Sequence, residues 1–112
     1  MEIEQYKLEE MVKGWFIGNF SPTLFSTNGI EVGVRKYNAG VYEPSHYHKV
    51  ATEFTVVVNG IIEMNGKQYS EGDIIKIIPG ISADFKTITE TTVVVVKIPG
   101  EFNDKYIDHQ SM

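Results

Sequence analysis

The chain has 112 residues, of which 42% are hydrophobic and 12% aromatic, so its composition suits one folded domain and excludes a disordered chain. Ten Lys and Arg residues against 15 Asp and Glu residues give a net charge of −5, and without a basic cluster this charge argues against nucleic-acid binding. The chain has no cysteine, so neither a disulfide nor a thiolate metal ligand is available.

Membrane association is also not expected. The longest apolar runs are far shorter than the roughly 20 residues that a membrane-spanning helix needs. The first five residues include two glutamates and no basic residue, whereas a signal peptide begins with basic residues followed by an apolar stretch. We therefore expect a cytoplasmic protein with a small-molecule partner rather than a membrane or nucleic-acid partner.

Short segments rich in Val, Ile, Thr, Phe and Tyr alternate with turn residues along the whole chain. This pattern predicts an all-β sandwich or barrel. Asn65-Gly66 is typical of a two-residue hairpin turn, because both positions need positive φ. The predicted strands lie near residues 15–18, 30–37, 46–48, 54–58, 61–64, 67–69, 74–78, 84–87 and 92–98.

The sequence shows no linker or repeat, so residues 1–112 are interpreted as a single domain. The core barrel is expected at about residues 30–98, preceded by an N-terminal strand and turn within 1–29. One helical turn could form at 8–13. The polar segment 99–112 is predicted to be an arm that lies on the surface or on a partner subunit.

The side-chain alternation predicts which strand faces are buried. A lysine is expected to face solvent, so Lys97 predicts that the residues of opposite parity point inward, namely Val94, Val96 and Ile98. Arg35 could bind an anionic substrate, but Val32 and Val34 occupy the parity that suits the core, so Arg35 is expected to point outward. Both faces of the strand at 54–58 are apolar, which indicates either a second sheet or a dimer interface outside the first sheet.

Two histidines and a glutamate form the most informative pattern. Residues i and i+2 of a strand point to the same side, so His46 and His48 can direct two imidazoles to one point. After a chain reversal, the carboxylate of Glu53 can return to that point. Two imidazoles and one carboxylate suit iron(II), manganese, nickel, cobalt or zinc and leave coordination positions open.

The spacing Gly40-x5-His46-x-His48-x4-Glu53-x6-Gly60 resembles the first motif of the cupin superfamily at every fixed position. The segment 72–85, with its Gly-Asp start and Pro-Gly turn, resembles the second motif. The resemblance covers about 30–98 and implies a double-stranded β-helix, the jelly-roll barrel of cupins. It also implies a homodimer with a metal inside one mouth of each barrel.

The second motif departs from the family at one position. Cupins generally place a fourth ligand, a histidine, where this chain has Ala83, and alanine cannot bind metal. Asp84 is adjacent but points to the opposite strand face unless a bulge intervenes. Whether Asp84 or water replaces the histidine is left open. His109, in the polar tail, is interpreted as a surface residue.

The function predicted is that of a small metal-binding cupin acting on a small polar metabolite. Segments such as 14–20, 43–49 and 103–106 resemble small stand-alone cupins from sugar or nucleotide-sugar gene contexts. Isomerase-like, epimerase-like or dioxygenase-like chemistry would suit the open positions, with Glu43 or Tyr42 as candidate general bases by position only. The alternatives are a non-catalytic module that binds a sugar or small acid with weak or no metal, and a purely structural role.

Overall fold

The structure, a computed structural model, describes residues 2–100 and 103–108. Over these ranges the chain forms strands and two short 3-10 turns, at Leu8–Glu10 and Val12–Gly14. The ten strands are β1 (Trp15–Ile17), β2 (Glu31–Tyr37), β3 (Tyr42–Tyr47), β4 (Thr52–Asn59), β5 (Ile61–Met64), β6 (Lys67–Ser70), β7 (Ile74–Ile77), β8 (Ala83–Thr87), β9 (Thr91–Ile98) and β10 (Tyr106–Ile107). The all-β prediction is confirmed.

The strands form two five-stranded antiparallel sheets. The first sheet has the order β1-β2-β9-β4-β7, and the second has the order β10-β3-β8-β5-β6. Strands that are far apart in sequence lie side by side, as in β2 with β9 and β3 with β8. Each sheet buries one apolar face against the other, which is the usual way in which antiparallel sheets remove apolar side chains from water.

The hydrophobic core lies between the two sheets. Val57 and Ile62 are almost completely buried at its centre. Burying one such aliphatic side chain stabilises the fold by about 1.5–3 kcal/mol. The remaining buried members of the cluster come from both sheets: Met64, Ala83, Phe85, Val93 and Val95.

The inward face of β2 and β9 differs from the prediction. Val93 and Val95 are buried, and Arg35 lies directly opposite Val93, so Arg35 and Lys97 share the inward parity. Both cations line a cavity between the sheets. The prediction was wrong because both faces of β9 are apolar, and the cavity on its inner face leaves room for a charged side chain to point inward.

The predicted hairpin turn forms, and the described part of the C-terminal arm folds onto its own chain. Asn65 and Gly66 both have positive φ, 51° and 81°, as the predicted hairpin between β5 and β6 requires. The described part of the C-terminal arm pairs with β3 of its own chain through β10. Within the described ranges, no helix is long and apolar enough to cross a membrane.

Candidate functional site

A cavity of about 70 Å³ lies between the two sheets. The wall of this cavity contains all three predicted metal ligands, His46, His48 and Glu53. β3 and the loop 48–51 carry the histidines, and β4 carries the glutamate. Tyr47, between the histidines, stacks instead on Tyr106 with ring centroids 5.5 Å apart.

The three side chains converge to different degrees. The Nε2 atom of His48 lies 3.4 Å from Oε1 of Glu53. The rings of His46 and His48 meet edge-on with their centroids 5.6 Å apart. Within residues 2–100 and 103–108, no three His, Asp or Glu side chains are close enough to form a complete metal cage. His48 and Glu53 are thus in contact with each other, whereas His46 contacts only the ring of His48 in this group of three.

Both imidazoles have their Nδ1 atoms next to a backbone carbonyl. Nδ1 of His46 lies 3.2 Å from the carbonyl oxygen of Pro44, and Nδ1 of His48 contacts that of Asp104. A carbonyl only accepts, so the contact assigns the proton to Nδ1 and leaves the lone pair on Nε2. Nε2 of His48 is buried without a hydrogen-bond partner. In metal-ligating histidines, too, one ring nitrogen donates a hydrogen bond to the protein and the other is left for the metal.

The protonation states also suit metal binding. Burial lowers the pKa of His46, against the opposing effect of the Pro44 carbonyl, so the neutral imidazole is favoured. Burial opposes ionisation of Glu53, but neighbouring positive charge, including that of the Lys97 cation, outweighs it and holds the Glu53 pKa below its usual value. The site therefore offers a neutral imidazole at His46 and an ionised carboxylate at Glu53 at neutral pH.

The position of the missing fourth histidine is occupied by a methyl group. Ala83 pairs in register with His46, is buried and lines the cavity. Asp84 turns away, because its carboxylate accepts from the amide of Asn65 at 2.7 Å and its own amide donates to the Asn65 side chain at 3.1 Å. His109 lies outside the described residues.

The two candidate bases are separated by the structure. Glu43 lines the cavity, whereas Tyr42 is 59% exposed and does not. Adjacent residues of a strand point to opposite sides, so the two cannot both reach the site. Glu43 is the candidate that remains. Phe85 and Met64 also line the cavity.

Sequence reasoning missed Asp104, which holds the loop that carries His48. Its carboxylate accepts hydrogen bonds from three consecutive amides, those of Lys49 (2.9 Å), Val50 (3.1 Å) and Ala51 (2.9 Å). Asp104 is only 5% exposed. Burial disfavours its charge, but the three amides outweigh that effect and hold the Asp104 pKa below its usual value.

The contact with Asp104 joins residues that are more than 50 positions apart, so no local pattern could indicate it. The second cupin-like motif also supports the same loop. The amide of Gly80 donates to the carbonyl of His48 at 2.7 Å. His48 is thus held at Nδ1 by the C-terminal arm and at its backbone by the Pro79-Gly80 turn.

Solved structures with similar folds include several double-stranded β-helix proteins. An uncharacterised protein with a double-stranded β-helix domain from Klebsiella pneumoniae subsp. pneumoniae is 21% identical, with 98% of each chain covered and a TM-score of 0.71. The DMSP lyase DddQ from Ruegeria pomeroyi DSS-3 is 18% identical, with 88% of this chain and 51% of that chain covered and a TM-score of 0.70.

Oxalate decarboxylase from Bacillus subtilis, studied for its Mn(II) centres, is 16% identical, with 72% of this chain covered and a TM-score of 0.60. The present chain spans about half the length of the lyase and 24% of the decarboxylase. No protein-family model matches the chain, and no curated protein matches it. These similarities show that the chain has the cupin fold, a double-stranded β-helix.

Replacing Asp104 with alanine should lower the free energy of unfolding by about 2–4 kcal/mol, because three amides of a partly buried loop lose a charged acceptor. Urea denaturation followed by tryptophan fluorescence measures the change. Asp73→Ala is the matched control, since Asp73 accepts from one exposed amide, that of Ser70. Equal losses in the two variants would contradict the role given to Asp104.

Proposed function

We propose that this protein is a metal-binding cupin that acts on a small polar metabolite held between its two sheets. The observation that carries the proposal is the buried Nε2 atom of His48, which has no hydrogen-bond partner and lies 3.4 Å from the carboxylate of Glu53. An unpaired polar atom at such depth costs about 1–3 kcal/mol. Coordination of a cation offsets that cost.

His46, His48 and Glu53 would hold the metal. Their nitrogen and oxygen donors suit Fe, Mn, Ni, Co or Zn, and the Mn(II) centres of the structurally similar oxalate decarboxylase support this choice. When bound, a divalent metal supplies Lewis-acid polarisation of a substrate carbonyl, or redox chemistry if it is iron. With Ala83 as the fourth neighbour, coordination positions stay open for substrate.

Glu43 is the side chain best placed to move a proton. It lines the cavity, and it is not among the proposed ligands. Nearby, burial raises the pKa of Tyr37 to about 12, with a further rise from Glu43 and a fall from Arg35. Tyr37 therefore remains a neutral phenol that can donate a hydrogen bond. A base beside a donor suits an isomerase-like or epimerase-like reaction next to a carbonyl, and a dioxygenase-like reaction is the other enzymatic candidate.

The size of the cavity limits the substrate. At about 10–15 Å³ of such volume for each water, 70 Å³ holds roughly five to seven water-sized groups. A sugar derivative can place its reactive end there. The nucleotide of a nucleotide-sugar would have to lie outside this cavity.

A non-catalytic binding module is the second candidate function. It is favoured by Ala83, which removes one donor, and by the incomplete convergence of His46 with the His48–Glu53 pair. Such a module would bind a sugar or small acid with weak or no metal. We propose the cytoplasm as the location in either case.

We also propose that two copies associate through the outer face of the first sheet. That face carries apolar side chains on several neighbouring strands, among them Phe54 and Val56 on β4 and Val94 and Val96 on β9. On the edge strand β7, Ile74 is 67% exposed. A second copy would remove this apolar face from water.

The proposed dimer predicts the effect of a charge on that face. The wild-type chain should sediment at twice 12.7 kDa, and Ile74→Lys should shift it towards the monomer because a buried lysine is costly. Ile88→Lys, at an exposed position following β8 in the second sheet, should leave the dimer intact. A wild-type monomer, or a dimer unaffected by Ile74→Lys, would exclude this interface.

Metal content tests the proposed function directly. Protein purified without added metal should contain nearly one transition-metal ion per chain by elemental analysis, and His48→Ala should lose it. Asp84→Asn should retain the metal, because Asp84 bonds to Asn65 rather than facing the cavity. Negligible metal in all three proteins would exclude the metalloenzyme and leave the binding module.

Restoring the missing ligand should strengthen metal binding. In Ala83→His the new imidazole is attached at a cavity-lining position opposite His46. The dissociation constant for Zn²⁺ should therefore fall at least tenfold, which is about 1.4 kcal/mol. Competition with a chelating dye measures it. Ser82→His, one residue earlier on the opposite parity, is the control. Unchanged affinity in Ala83→His would mean that the metal does not lie beside Ala83.

A further inference from the structure

Two cations lie on the inner wall of the cavity, which is unusual in a protein whose net charge is −5. Arg35 projects from β2 and Lys97 from the end of β9, both on the inward parity. Lys105 of the C-terminal arm joins them at the cavity wall. The wall therefore carries three cations against the two carboxylates of Glu43 and Glu53, an excess of one positive charge before any metal binds.

Trp15 holds the first two cations in place. Gly33 of β2 makes room for its ring, because a Cβ atom at Gly33 would lie only 2.7 Å from the indole. The guanidinium carbon of Arg35 lies 5.7 Å from the centre of this ring, and Nζ of Lys97 lies 5.0 Å from it. Arg35 is also 5.2 Å from the ring centre of Tyr37. Stacking of this kind orders a cation without neutralising it.

Neither cation is paired with a carboxylate of the described residues. Between those residues, the ion pairs within 4.0 Å that lie at the cavity are those of His48 with Glu53 and with Asp104. Lys97 influences Glu53 electrostatically without meeting it at that distance. Arg35 and Lys97 thus keep donors available for a ligand, and a half-buried, ordered guanidinium is preorganised for planar anions.

The three cations and Trp15 belong to a second, wider cleft as well as to the cavity. Trp15, Arg35, Lys97 and Lys105 also line a wider cleft of about 480 Å³ that shares His48 with the inner cavity. A ligand in the cleft therefore meets the same three cations as a ligand in the cavity. Such an arrangement raises the local concentration of anions and orients them.

We propose that the ligand of this site is a small carboxylate, bound by Arg35 and Lys97 with its remaining polar atoms directed towards His48 and Glu53. The inference rests on the proposed function for the position of the reactive end and adds the chemical class of the ligand. In metal-free protein, a planar, singly charged carboxylate matches the fork of Arg35 and the single excess positive charge of the wall, and a doubly charged phosphate matches that charge less well.

Calorimetric titration with pyruvate, glycerol and inorganic phosphate at constant ionic strength tests the proposal. Pyruvate should bind measurably and at least tenfold more tightly than either of the other two. Arg35→Gln should weaken pyruvate binding at least tenfold, and Lys97→Gln severalfold. Lys36→Gln is the matched control, since Lys36 is the exposed neighbour on the opposite face of β2, and it should change the affinity less than twofold.

Arg35→Lys is a control for a folding defect. It keeps the positive charge and the aliphatic part of the side chain but lacks the planar guanidinium. It should weaken pyruvate binding less than Arg35→Gln does while melting at the wild-type temperature. Glycerol or phosphate binding as tightly as pyruvate, or Arg35→Gln and Lys97→Gln binding it like wild type, would overturn the proposal.

The titration is repeated after the protein has been dialysed against a chelator, and metal content is measured on the same samples. Selective pyruvate binding that depends on Arg35 in metal-free protein would support the carboxylate site even if the metal proposal failed. Metal present at one per chain with no preference for pyruvate would leave the proposed function standing and refute this inference.

Discussion

The site depends on one buried carboxylate. The carboxylate of Asp104 accepts hydrogen bonds from three consecutive amides of the loop between β3 and β4. The backbone carbonyl of the same residue accepts a hydrogen bond from Nδ1 of His48. One residue of the C-terminal arm therefore sets both the path of the loop and the tautomer of the imidazole. Since β4 begins directly after this loop, the approach of Glu53 to His48 follows from the same contact.

The charges around the cavity form two complementary groups. On one side, the neutral imidazole of His46, the buried Nε2 atom of His48 and the ionised Glu53 are suited to a cation. On the other side, Arg35 and Lys97 lie against Trp15 without ion-pair partners among the described residues. A metal and an anion can thus be held side by side, each lowering the electrostatic cost of burying the other.

Much of the fold could be predicted because its signals are local. The Asn65-Gly66 turn and strand β5 appear where the sequence indicates, since positive φ and β-branched runs are properties of neighbouring residues. The inward parity of Arg35 and Lys97 could not be predicted, because β9 is apolar on both faces. Asp104 could not be found either, because its partners are more than 50 residues away.

By itself, the sequence determined the all-β class, the hairpin turns and the i, i+2 histidine pair with Glu53, since strand alternation and turn chemistry depend on adjacent residues. It also determined that Ala83 offers no donor. Only the tertiary structure decided that Glu43 rather than Tyr42 faces the cavity, that Asp84 bonds to a turn, and that Arg35 and Lys97 point inward. Those outcomes depend on which strands pair and in what register, and register is set by contacts across the whole chain.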